Sequence, residues 1–126
     1  MSLLEAASEH DALERLHQLG CTDGLPVVIP TADRVARMVL STGYEPDLVL
    51  GVMGPLYGAA TIEKVATAAV MAGCLPDHIP VVVAAIRAVC QPEFDLTEMQ
   101  ATTHCTAPLM IVCGPARNAC GEIASG

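Results

Sequence analysis

Residues 77–90, "DHIPVVVAAIRAVC", decide the fold. Three successive valines invite a strand, but the continuation through Ala84 and Ala85 favours a helix. Ile79, Val82, Val83, Ile86 and Cys90 recur at three- and four-residue spacing, which gathers them on one helical face. Pro80 is tolerated in a first turn, where its missing N–H would have no partner in any case. The spacing therefore predicts a helix capped by Asp77. Arg87 is the single charge in its interior, so most of its circumference has to be covered.

Working upstream, "TIEKVATAAVMAG" (61–73) predicts a second helix, capped by Thr61 and stopped at Gly73. "GPLYGAA" (54–60) reads as a loop with two glycines, and "LVLGVM" (48–53) as a strand. Thr31 caps an earlier helix with Asp33 near its positive end and Val35, Met38 and Val39 inside. In "CTDGLPVVIPT" (21–31), Asp23-Gly24 is a turn and Val27–Ile29 a short strand closed by Pro30. The first helix has Ser8 as its cap, Glu9 and Asp11 in its first turn, and Gly20 as its stop. Downstream, "LMIVCG" (109–114) reads as a buried strand. Strands alternating with helices give an α/β domain, and the long small-residue helical middle leaves α+β open.

The 126 residues allow one domain at most, 1–126. Fourteen acidic residues against six basic give a net charge of −8, which excludes nucleic acid and disfavours anionic membrane surfaces. No apolar run reaches the length of a membrane helix. "MSLLEAASEHD" has no basic start, so it is not a secretory signal, and the expected location is cytoplasmic. Apolar residues make up 52% of the chain, yet aromatics are 2%, with no Trp. Such a chain is expected to bury a face against another chain, as a homo-oligomer or a hetero-oligomer, or to be part of a longer polypeptide.

The six cysteines show no C-x-x-C pair and no zinc-ribbon spacing, so most read as reduced core thiols. His10 and His17 stand about 10 Å apart on one helical face, too far to share an ion, and read as solvent-facing. Thr61 opens a helix whose N–H groups could receive an anion, with Lys64 adding charge, although the glycine spacing matches no phosphate-binding motif. Glu63 and Cys74 lie on one stripe but about 16 Å apart, so they cannot touch. Cys74 sits at a helix C-terminus, which favours a neutral thiol.

"QATTHCTAPLMIVCG" (100–114) is the best candidate for chemistry. If 102–106 is a loop entering the strand, His104 and Cys105 can converge with Thr102 and Thr103. Pro108 favours that arrangement, because it cannot donate to a ladder. A core or capping role for His104 stands beside the catalytic one.

"CTDGLPVVIPT" (21–31), "GAATIEKVATAAVMAGCLPDHIPVVVAAI" (58–86) and "MQATTHCTAPLMIVCGP" (99–115) together resemble an uncharacterised bacterial family. Its members are encoded beside, or fused to, thioredoxin-like proteins and proteins with a selenocysteine or cysteine in a U/C-Gly-Ser-Cys motif. The resemblance implies a redox partner and a shared site drawn from Asp23, Glu63, Lys64, Cys74, Thr103 and His104. Two departures stand out. Cys105 occupies a position where the family has proline, and the chain stops at "EIASG", where relatives continue through a glycine-rich segment and another helix. A fragment, a processed piece or a separate subunit is expected.

Three functions follow as expectations. The first is a component of a thiol- or selenol-linked redox enzyme acting on a small polar or anionic molecule. In it, His104 is the general acid/base and Cys74 or Cys105 the thiol. Glu63, Lys64, Thr102, Thr103 and Asp23 position the substrate. The second is a non-catalytic subunit packing on a catalytic partner. The third is a Cys/His metal site using Cys74, His104 and Cys105, with Cys113 or Cys120. Nothing in the sequence names a cofactor.

Overall fold

The computed structural model describes residues 4–121. It is a mixed α/β fold in which helices outweigh one small antiparallel sheet. Helix α1 (Glu9–Gln18) starts as the sequence predicts, with Ser8 Oγ accepting from the Asp11 N–H at 3.1 Å. The α2 helix (Ala32–Leu40) is capped by Thr31 and buries Val35, Met38 and Val39. Arg34 ties these two helices together, its guanidinium standing 3.6 Å from the Glu9 carboxylate while also donating to the Ile29 carbonyl at 2.9 Å.

Strand β1 (Val49–Met53) pairs antiparallel with β2 (Gly58–Thr61) through Val49–Thr61, Gly51–Ala60, Val52–Ala59 and Met53–Gly58. The second strand corrects the reading of 54–60 as a loop: only 54–57 turns, with Tyr57 at positive φ, and the rest pairs. Gly-Ala-Ala-Thr has little strand preference of its own, so a tight hairpin supplies what the side chains lack. Helix α3 (Ile62–Met71) begins directly after β2, capped by Thr61, and α4 (Ile79–Val89) confirms the helical reading of the valine run. Two short helices follow, α5 (Leu96–Ala101) and α6 (Ala116–Ala119).

The core lies where α2, α3 and α4 meet, with β1 against α4. Ile62 and Ile79 are about as buried as side chains can be, at 1% and 0% exposed, and each contributes about 1.5–3 kcal/mol by leaving water. Gly51 is where the hairpin closes onto α4: a Cβ built there would stand 2.5 Å from Cys90 Cβ and 2.7 Å from its sulfur. Only glycine admits that approach.

Three further expectations are corrected. Residues 27–29 form no strand, because Pro26 and Pro30 bracket them and their main-chain groups are spent elsewhere. The Val28 N–H reaches the Met71 carbonyl at the end of α3, and the Ile29 carbonyl takes Thr31 and Arg34. Residues 109–114 form no strand either: a strand needs a neighbour, and among the described residues neither β1 nor β2 runs beside this segment. Asp77 does not cap α4. It lies in a 3-10 turn over Pro76–His78, and the first cap-like bond there runs from the Leu75 N–H to His78 Nδ1 at 3.1 Å.

Candidate functional site

Segment 102–113 crosses the surface after α5. Thr102 Oγ1 accepts from the His104 N–H at 3.2 Å, and the His104 carbonyl accepts from the Thr106 N–H at 2.9 Å. These bonds, with Thr106 Oγ1 donating to the Met99 carbonyl at 3.3 Å, make 102–106 the loop that Pro108 foretells. Thr102, Thr103, His104 and Cys105 are all exposed. Cys105 is a free thiol next to a solvent-facing imidazole.

The remaining candidate residues lie on other elements, with fold contacts of their own. Asp23 Oδ1 accepts from the Leu25 N–H at 3.1 Å, which closes the Asp23-Gly24 turn. Cys74 is half-buried, packed against the cluster formed by α2, α3 and α4. Glu63 lines an apolar groove of ≈ 470 Å³ with α2 residues and Pro46.

The start of α3 is already occupied by its own chain. The Ile62 N–H donates to the Leu48 carbonyl at 3.0 Å, the Glu63 N–H to Pro46 at 2.9 Å, and the Lys64 N–H to Thr61 Oγ1 at 3.4 Å. The Lys64 ammonium donates to the Ala59 carbonyl at 3.0 Å. A helix end whose N–H groups are engaged this way offers an anion little. Among the described residues, no three His, Cys, Asp or Glu side chains stand close enough to hold a metal ion.

What the side chains do assemble is an apolar surface. Pro80, Ala84 and Ala88 recur at four-residue spacing on α4, opposite its core face. With Phe94 and residues 108–113 they line a groove of ≈ 570 Å³. Leu109 is 85% exposed, Met110 57% and Ile111 78%. The stripe of small residues was the available signal for this groove.

No family model matches the chain, and no curated protein or solved structure matches it either. The geometry therefore stands by itself. His10 and His17 are solvent-facing, as their spacing requires: His10 pairs with Glu14 at 3.6 Å and His17 Nδ1 contacts Thr22 Oγ1 at 3.1 Å. Among the described residues, no helix is long and apolar enough to cross a membrane. The Asp11 carboxyl is held below the usual range, chiefly by the Ala7 N–H and then by Arg15, which places it in the helix cap.

Proposed function

We propose that this chain is a subunit, or part of a larger polypeptide, that packs its apolar face on a partner. In this reading segment 102–113 is the docking element. The observation that carries it is the exposure of Leu109, Met110 and Ile111 together, at 85%, 57% and 78%. Contiguous apolar surface of this kind marks interaction sites in globular proteins. Light scattering after size exclusion, with a hydrophobic dye alongside, tests it. Association, or a monomer that binds the dye, is the expected result; a monomer that binds no dye contradicts the reading.

A second reading places thiol chemistry on the same segment, favoured by the free, exposed Cys105 beside His104. The chain would then be one component of a thiol- or selenol-linked redox enzyme. His104 would be its general acid/base, and the partner would complete a site for a small polar or anionic molecule. The resemblance to a redox-associated family supports this. Six unpaired cysteines support a reducing, cytoplasmic setting as part of the proposal. Alkylation of Cys105 at neutral pH should slow about tenfold in His104→Ala if the imidazole serves the thiol. Equal rates contradict it.

A further inference from the structure

We propose that two copies of this chain pair along residues 109–113, antiparallel and centred on Ile111. The inference rests on the subunit reading above and names its partner as a second copy of the same chain.

The main chain makes the first argument. Residues 107–113 are neither helix nor strand, and no hydrogen bond from another described residue reaches their backbone. Covering such a segment with side chains alone would leave buried N–H and C=O groups unpaired, at about 1–3 kcal/mol each. Another strand is the cover that supplies partners along the whole segment.

The side chains are already arranged for it. Exposure alternates from Leu109 at 85% to Met110 at 57% and Ile111 at 78%, with Val112 half-buried. That is the period of a strand whose two faces differ in exposure, lying along the groove it shares with α4. Both faces are apolar, the pattern of a strand covered on both sides.

Charge selects the second copy. The chain carries −8, so two copies repel wherever their carboxylates face each other. Residues 99–116 contain no Asp, Glu, Lys or Arg, and this is the longest such run in the sequence. Two acidic chains can meet there without placing like charges opposite each other. Antiparallel pairing about Ile111 sets Leu109 against Cys113, Met110 against Val112, and Ile111 against its own copy. The contact is self-complementary, as a two-fold interface must be.

Disulfide mapping tests this. In a background where the exposed Cys21, Cys105 and Cys113 are serine, Ile111→Cys should oxidise to a covalent dimer. Opposed Cα atoms in an antiparallel pair lie about 4.5–5.5 Å apart, within the disulfide range. Leu109→Cys in the same background should not, because its counterpart is position 113. In otherwise unsubstituted protein, Ile111→Asp should weaken association about tenfold or more with the far-ultraviolet spectrum unchanged, since the side chain is exposed in the single chain. Cross-linking no faster at 111 than at 109, or association that survives Ile111→Asp, overturns the pairing. An unsubstituted chain that stays monomeric up to about 1 mM while binding the dye overturns it too, and leaves the subunit reading standing.

Discussion

Replacing Gly51 by alanine tests the seat of the hairpin on α4. The added methyl would stand 2.5 Å from Cys90 Cβ and 2.7 Å from Cys90 Sγ, where unstrained carbon contacts begin at about 3.5 Å. About 1 Å of movement has to come from the hairpin or from the C-terminal end of α4. Overpacking of this kind costs about 1–3 kcal/mol, and roughly 0.5–1 kcal/mol returns because alanine has less chain entropy to lose than glycine. The middle of those ranges leaves a net loss of about 1 kcal/mol, or a fall in Tm of about 4 °C for a chain this long. Gly58→Ala is the control on the paired strand, since a Cβ there meets nothing within 4 Å. Thermal unfolding followed by circular dichroism should show Gly51→Ala destabilised and Gly58→Ala unchanged or slightly stabilised. In a Cys90→Gly background, which removes both clashing atoms, Gly51→Ala should cost little. Equal melting of the two alanine variants, or no relief from Cys90→Gly, would refute the placement of β1 on α4.

Other substitutions probe the core, the open face and the first helix cap. Ile79→Ala, at a position 0% exposed, should lower stability by about 2–5 kcal/mol in denaturant titrations. Leu109→Ser, at a position 85% exposed, should leave the stability of the dilute chain within about 0.5 kcal/mol. Asp11 has its carboxyl held low by the Ala7 N–H and Arg15, so its contribution is present above the ordinary carboxylate range and is lost as pH falls through the lowered folded value. The start of α1 should therefore fray in acid by amide chemical shifts, and Asp11→Asn should remove that acid-dependent step.

The helices were legible because their signals are local. Ser8, Thr31 and Thr61 each offer an oxygen to an N–H three residues on, and the structure uses all three. The valine run in α4 resolved correctly because its apolar spacing continues beyond the valines. Strands were harder, because a strand is a property of two segments. Residues 27–29 and 109–113 have strand-like side chains but no neighbouring strand among the described residues, whereas Gly58–Thr61 has a neighbour and little else. Periodicity reports which face is apolar, but not whether anything lies beside it.

The candidate site shows the same limit. The loop at 102–106 followed from Pro108, and its exposure follows from being a loop. Lys64 reads as a charge beside a helix start and Asp23 as a site residue implied by the resemblance, and both bond to nearby main chain, at 3.0 and 3.1 Å. Such bonds depend on how the backbone folds back, which no spacing rule contains. The groove along α4 was written in Pro80, Ala84 and Ala88, but small residues acquire meaning only once something is seen to lie against them.

Amide hydrogen exchange across 109–113, measured at increasing protein concentration, addresses the central claim most directly. A bare main chain that becomes covered when chains meet predicts rapid exchange at dilution and slower exchange as concentration rises. Exchange in this stretch that is already slow at dilution, or unchanged by concentration, would contradict the account.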